Sequence, residues 1–143
     1  MSKKKKFETE AIRTQIERTH AQEHASPLYL TSSFTYQDAE EMRAAFAGKN
    51  ELNIYSRFSN PNFKEFVDKI CRMEGAESGY AFATGMAAVF STFAALLSAG
   101  DEILACRSIF GSTHTVFTKI FPKWQIKTTY VDIKDTESWV EKL

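Results

Sequence analysis

The chain has 143 residues, close to the length of one ordinary domain and enough to bury a hydrophobic core. Apolar residues make up 43% of it and charged residues 25%, a mixture typical of soluble globular proteins rather than of disordered, fibrous or membrane chains. The 18 basic and 18 acidic side chains cancel, so no net charge attracts nucleic acid or a membrane surface. The one basic run, Lys3 to Lys6, is predicted to be a solvated tail without a function.

The cysteines and histidines do not form the pattern of a metal site. Cys71 and Cys106 belong to no CxxC motif, and the three histidines are scattered, which favours surface or helix-end positions. We therefore expect no metal, no disulfide framework and a cytoplasmic location. No segment has the pattern of a secretion signal or of a membrane span.

The first third of the chain predicts two helices separated by an extended arm. Apolar residues at helical spacing favour a helix over residues 8–20. Residues 27–34 (PLYLTSSF), called the arm below, are β-branched, aromatic and hydroxylic, which favours extended structure. A second helix is expected over residues 36–47, with Thr35 as N-cap and Gly48 as its stop.

The pair Asn60-Pro61 gives a strong helix start, because asparagine accepts free amide hydrogen bonds and proline presets the first helical φ angle. Residues 49–60 show no sustained period, which predicts a loop. Apolar residues then recur at helical spacing from Phe63 to Met73, and Gly75 closes the predicted helix.

The remainder alternates short apolar runs with helical segments, which indicates a parallel α/β sheet. The predicted strands cover residues 79–83, 102–106 and 126–131; the predicted helices cover 86–98, 112–121 (ended by Pro122) and a last one from Thr136 onward. That last helix has only begun at Leu143, so we expect the chain to be the N-terminal part of a longer protein.

Three segments have a composition suited to ligand binding. The turn around Gly85, between a predicted strand and a helix, suits an anion such as phosphate, although such turns also occur without a ligand. Arg57 and Tyr55 in the loop before Asn60 offer donors for phosphate oxygens; alternatively, Arg57 forms a surface salt bridge and Tyr55 packs on the loop. Phe110 follows a predicted strand end, where an aromatic ring can stack on a flat cofactor or join the core.

Read in this order, the motifs YSRFSNP (55–61), ATGMAA (83–88) and SIFGST (108–113) resemble the cystathionine γ-synthase-like family of enzymes that use pyridoxal 5'-phosphate (PLP). The sequence looks most like its O-succinylhomoserine and O-acetylhomoserine sulfhydrylase branch. The resemblance implies the N-terminal part of the fold-type I, aspartate-aminotransferase-like fold. Residues 1–60 would be an arm and helices with a phosphate-binding loop, and residues 61–143 the first part of the large PLP-binding domain.

The resemblance also implies roles for individual residues. Tyr55 and Arg57 match the residues that hold the PLP phosphate of a neighbouring subunit, which implies a homodimer or a dimer of dimers. Gly85 and Met86, with Thr84 beside them, match the helix start that binds the same phosphate, and Phe110 matches the aromatic residue that stacks on the PLP ring. Many family members have Tyr at this last position, so a hydroxyl is missing here.

The implied reaction is a γ-replacement, in which succinate or acetate leaves the Cγ atom of an acylated homoserine and sulfide takes its place to give homocysteine. The family's Schiff-base lysine, its pyridine-binding Asp and its substrate-binding Arg lie beyond the matched region, so no catalytic residue is assigned and the 143-residue chain alone is expected to be inactive. Open alternatives are a cystathionine γ-synthase, cystathionine lyase or methionine γ-lyase, a non-catalytic oligomerising protein, and a stand-alone nucleotide-binding domain.

Overall fold

A computed structural model describes residues 6–143 of the chain. The basic run predicted to be a solvated tail lies outside these residues, apart from Lys6. The chain forms two compact units, of which the first ends at Ala81 and the second runs from Phe82 to Leu143. The domain boundary proposed after residue 60 stays a prediction.

Three helices lie in the first unit: α1 (Phe7–Arg13), α2 (Ala39–Phe46) and α3 (Pro61–Glu74). The prediction for α3 is confirmed at both ends. The Asn60 side chain accepts a hydrogen bond from the Asn62 N–H at 2.9 Å, and Gly75 ends the helix with a φ of 68°. Glycine adopts this left-handed conformation without the steric cost of a side chain.

Helix α1 ends well before the predicted residue 20. Its C-cap, Thr14, is extended, and the Ile16 N–H donates to the Glu65 carboxylate at 3.2 Å instead of to a carbonyl of its own helix. The prediction is wrong in its second half because a partner 49 residues away competes successfully with local helix propensity.

Helix α2 begins three residues later than predicted, and its N-cap is Asp38 rather than Thr35. The Asp38 carboxylate accepts from the N–H groups of Glu40 and Glu41 at 2.9 and 2.8 Å. A carboxylate at a helix start also interacts favourably with the positive end of the helix dipole. The predicted stop is confirmed, since Gly48 follows the helix with a φ of 66°.

The second unit contains α4 (Gly85–Leu96), β1 (Glu102–Cys106), α5 (Gly111–Thr115), β2 (Lys127–Val131) and α6 (Thr136–Glu141). β1 and β2 pair in parallel, from Glu102 opposite Lys127 to Cys106 opposite Val131. The parallel sheet is thus confirmed with these two strands, but residues 79–83 form no strand. Across residues 6–143 the sheet consists of β1 and β2 alone, and residues 79–83 pair with neither of them.

The helical stretch between the two strands is longer and less regular than predicted. After α5 it widens into a π-helical turn (Val116–Ile120) and continues as a 3-10 turn (Phe121–Trp124) that contains Pro122. Proline lacks an N–H and so breaks regular helical hydrogen bonding, but it is tolerated in the first turn of a new segment. Pro122 therefore changes the type of helix instead of ending it.

The core of the second unit forms around Phe121, which is fully buried. Its ring lies 5.9 Å from that of Phe117 and 5.8 Å from that of Phe90 on α4, measured between centroids. The other buried members of this cluster are Ile103, Ala105, Val116 and Ile126. This packing holds α4 and the π-helical turn against the strands, and so fixes the position of the N-terminal end of α4 in the unit.

Candidate functional site

The loop that carries Tyr55 and Arg57 is a tight turn. The N–H groups of Phe58 and Ser59 both donate to the Tyr55 carbonyl, at 2.8 and 2.9 Å. Tyr55 also forms an antiparallel bridge with Ser33 of the arm. The turn places the two predicted phosphate ligands side by side.

The Arg57 guanidinium lies over two neighbouring aromatic rings, whose centroids are 6.3 Å apart. Its Cζ atom is 5.2 Å from the ring centroid of Tyr55 and 5.5 Å from that of Phe58, the range of cation–π contacts. The side chain is exposed, and within residues 6–143 no carboxylate forms an ion pair with it. An oriented, exposed cation of this kind can bind an anion.

The second group of predicted residues lies at the start of α4. Thr84 is the N-cap, and its hydroxyl accepts from the Ala87 N–H at 3.0 Å. The geometry of an α-helix leaves the N–H groups of Gly85 and Met86 without a partner inside the helix. The space beside Gly85 is open, since a Cβ placed there would meet nothing within 4 Å. The Thr84 hydroxyl can still donate its own hydrogen, so three donors are available to one anion.

Phe110 lies at the same end of the second unit. It occupies the N-cap position of α5, four residues past the end of β1, and 71% of its surface is exposed. The starts of α4 and α5 meet where the Thr113 hydroxyl contacts the Met86 sulfur at 3.8 Å. An exposed aromatic ring next to an open helix start suits a ligand that has a flat ring and a phosphate.

The structure thus brings the predicted residues together in two groups, one in each unit. The first consists of Tyr55 and Arg57, and the second of Thr84, Gly85, Met86 and Phe110. The donors and the aromatic ring of the second group fit the phosphate and pyridine ring of PLP.

Sequence reasoning missed a polar cluster beside Phe110. His114, exposed as expected, has its Nδ1 atom 2.7 Å from the Tyr130 hydroxyl, and Arg107 lies over the Tyr130 ring with its Cζ atom 5.4 Å from the centroid. Burial raises the pKa of the Tyr130 hydroxyl, against the opposing effect of Arg107. His114 belongs to the first turn of α5, where its N–H donates to the Phe110 carbonyl at 3.0 Å. The one available signal was the spacing of His114, one helical turn after Phe110.

Other kinds of site find no support in the described residues. From residue 6 to residue 143, the structure has no group of three or more His, Cys, Asp or Glu side chains able to hold a metal ion. The helices in this range include none that is long and apolar enough to cross a membrane.

Comparisons with known proteins identify the family to which the chain belongs. The sequence matches the family described as Cys/Met metabolism PLP-dependent enzyme over residues 8–143. It is 39% identical to an O-succinylhomoserine sulfhydrylase of Pseudomonas aeruginosa over 133 residues, or 93% of this chain and 33% of the relative. It is 35% identical to an L-methionine gamma-lyase of Pseudomonas putida over 112 residues, or 78% of this chain and 28% of the relative.

Among solved structures, the chain resembles a putative O-acetylhomoserine (thiol)-lyase of Campylobacter jejuni that contains N'-pyridoxyl-lysine-5'-monophosphate. The TM-score is 0.91 at 26% identity, with 98% of this chain and 34% of that chain covered. The chain spans about a third of the length of the relatives that it matches. On this match over nearly its whole length, the chain belongs to the family of PLP-dependent enzymes of cysteine and methionine metabolism, and its fold is the N-terminal part of the fold-type I fold.

Proposed function

We propose that the complete protein encoded by this gene converts O-succinylhomoserine or O-acetylhomoserine, together with sulfide, into homocysteine. The observation that carries the proposal is the capped, open start of α4 in a chain that is 39% identical to an O-succinylhomoserine sulfhydrylase over 93% of its length. When bound, PLP supplies the electron-withdrawing ring that allows protons to leave the Cα and Cβ atoms of the substrate.

The residues of this chain would bind and orient the cofactor. The N–H groups of Gly85 and Met86 and the hydroxyl of Thr84 would donate to its phosphate, aided by the positive end of the α4 dipole. Phe110 would stack on the ring and keep it at a fixed tilt. Because Phe110 has no hydroxyl, it takes part in no proton transfer.

Arg57 and Tyr55 would complete the phosphate site from a second copy of the chain. The guanidinium supplies charge-assisted hydrogen bonds, and the stacking on Tyr55 and Phe58 limits the rotamers that it must give up on binding. In this proposal the site is complete only in a homodimer or a dimer of dimers. A chain limited to residues 1–143 would be inactive, since none of its lysines lies in the family's lysine motif.

The first alternative is a γ-lyase reaction, favoured by the relative in Pseudomonas putida that is an L-methionine gamma-lyase. The predicted phosphate ligands are the same for both reactions, so residues 1–143 do not separate them. A different class of function, a non-catalytic oligomerising protein, would retain the fold without binding PLP.

One assay separates these functions. The complete protein is incubated with PLP, O-succinylhomoserine or O-acetylhomoserine, and sulfide, and homocysteine and 2-oxobutanoate are both quantified. We expect homocysteine that depends on sulfide and on the acylated substrate. Release of 2-oxobutanoate without homocysteine would reject the sulfhydrylase in favour of a lyase. The absence of both products, with no PLP absorbance after dialysis, would favour the non-catalytic protein.

A further inference from the structure

Two asparagines at the start of α3, called the amide clamp below, hold the arm by its backbone. The Asn62 Oδ1 atom accepts from the Tyr29 N–H at 2.8 Å, and its Nδ2 atom donates to the Pro27 carbonyl at 2.7 Å. The Asn60 Nδ2 atom donates to the Tyr29 carbonyl at 3.1 Å. Both backbone groups of Tyr29 are therefore occupied by the clamp.

The geometry requires an amide at position 62. A carboxamide offers one acceptor and two donors at a fixed spacing, so it can pair with an extended backbone as a neighbouring strand does. Threonine carries one hydroxyl on a shorter side chain, so it does not offer a separate acceptor for the Tyr29 N–H and a separate donor for the Pro27 carbonyl. Aspartate has the shape of asparagine but lacks the donor for the Pro27 carbonyl.

Glu65, one helical turn after Asn62 on α3, binds the segment that precedes the arm. Its carboxylate accepts from the Ile16 N–H at 3.2 Å and from the Ser26 hydroxyl. Burial alone would raise the pKa of the Glu65 carboxyl, but the hydrogen bonds from Ser26 and Ile16 and the charge of Lys69 outweigh it and lower the pKa. The carboxyl is thus ionised at neutral pH and can only accept.

The arm in turn shapes the loop that carries Arg57. The Ser56 N–H donates to the Ser32 carbonyl at 2.9 Å, and the Ser56 hydroxyl donates to the Thr31 carbonyl. The bridge between Ser33 and Tyr55 continues this pairing. The Asn60 Nδ2 atom also reaches the Ser56 hydroxyl at 3.1 Å, so the amide clamp contacts both the arm and the loop.

We propose that Asn62 is a positioning residue for Arg57. By fixing Pro27 and Tyr29 it fixes the register of the arm, and the arm fixes Tyr55 and Ser56, which precede Arg57 directly. Asn62 itself does not contact the cofactor. The inference rests on the proposed role of Arg57 in phosphate binding, and it adds a residue that the phosphate motif does not contain.

The first test follows the loop without PLP. Hydrogen exchange of the complete apoprotein is measured by mass spectrometry on peptides that cover residues 53–59, for the wild type and for Asn62→Ala, Asn62→Asp and Asn62→Thr. We expect faster exchange in all three variants, because each of them loses at least one of the two contacts to the arm, and unchanged exchange in α2. Asn53→Ala is the matched control, because the contact at Asn53 is from the Tyr36 hydroxyl to its backbone carbonyl, at 3.1 Å. Exchange in residues 53–59 equal to that of the wild type would overturn the proposal.

The second test measures whether the effect passes through Arg57. PLP dissociation constants are determined by titrating the apoproteins of Asn62→Ala, Arg57→Ala and the double variant. We expect Asn62→Ala to raise the PLP dissociation constant about three- to tenfold, because an effect of this size follows from the loss of roughly one hydrogen bond that orders the loop. The double variant should bind PLP no more weakly than Arg57→Ala alone. Multiplied effects in the double variant would show that Asn62 acts on stability in general and would overturn the proposal.

The two tests also separate this inference from the proposed function. If Arg57→Ala leaves the PLP dissociation constant unchanged, the phosphate site is wrong, whatever the exchange experiment shows. If Arg57→Ala weakens PLP and Asn62→Ala does not, the phosphate site stands and the positioning role of Asn62 is wrong.

Discussion

Arg57 has two aromatic rings as neighbours and, within residues 6–143, no carboxylate in an ion pair with it. Arg43 on α2 differs, with its Nη1 atom 3.1 Å from a Glu40 carboxylate oxygen. An arginine with an intramolecular carboxylate has to give up that partner before it binds an anion. The aromatic contacts orient Arg57 without neutralising its charge, so that charge is available to an anion.

Replacing Arg57 by alanine in the complete protein is expected to weaken PLP retention. The loss is that of a hydrogen bond to a charged group, about 1.5 to 3 kcal/mol, or on the order of a ten- to 150-fold rise in the dissociation constant. The measurement is a titration of apoprotein with PLP, followed by absorbance. Arg43→Ala is the control and should bind PLP as the wild type does. An equal effect of both variants would contradict a specific role for Arg57.

At the scale of helices and strands, a prediction is accurate when the residues that determine the element lie close to it in the sequence. Helix α3 is predicted correctly because Asn60, Pro61 and Gly75 all act within one turn of its ends. The end of α1 depends on Glu65, and the missing strand at 79–83 depends on a pairing partner, and neither can be read from neighbouring residues. The π-helical turn, Val116–Ile120, directly precedes the buried Phe121, and no local residue pattern predicts it.

The same distinction applies to the candidate site. Tyr55, Arg57, Gly85 and Phe110 are predicted from short motifs and from the family resemblance that these motifs carry together. Asn62 is not, because its partners on the arm are 33 and 35 residues away and are backbone groups, which every residue has. Contacts from a side chain to a distant backbone leave no pattern in a single sequence.

The start of α2 provides a direct test of an element boundary. Asp38→Ala should lower the free energy of unfolding by about 1 kcal/mol, because the N–H groups of Glu40 and Glu41 lose their acceptor. Thr35→Ala, at the N-cap that the sequence predicts, should change it by less than about 0.5 kcal/mol, as surface substitutions usually do. Urea unfolding of the two variants is the measurement. A larger loss for Thr35→Ala than for Asp38→Ala would place the cap at residue 35.

At the scale of the whole molecule, the proposed phosphate site takes its parts from two copies of the chain. Each copy would give Tyr55 and Arg57 to its partner and would use its own Thr84, Gly85 and Met86. A mutation of Tyr55 or Arg57 in one copy would therefore affect the phosphate site of its partner, whereas a mutation of Thr84, Gly85 or Met86 would affect the site of the copy that carries it.

This arrangement predicts complementation between inactive variants. We expect that mixing an Arg57→Ala variant with a variant of the PLP-binding lysine of the complete protein restores part of the activity, since one site of the hybrid dimer has both groups intact. Activity is measured after subunit exchange, which differently tagged copies establish by mass spectrometry. Each variant incubated alone is the control. No recovery after complete exchange would argue for a site built within one subunit.

The pairing of the arm with α3 also has a consequence for biosynthesis. Pro27 and Tyr29 are translated 33 to 35 residues before the Asn62 side chain that binds them. At about 5 to 20 residues per second, the arm leaves the ribosome roughly 2 to 7 s ahead of its partner. During that interval water satisfies its backbone groups, so the register of the arm is set only when the start of α3 emerges.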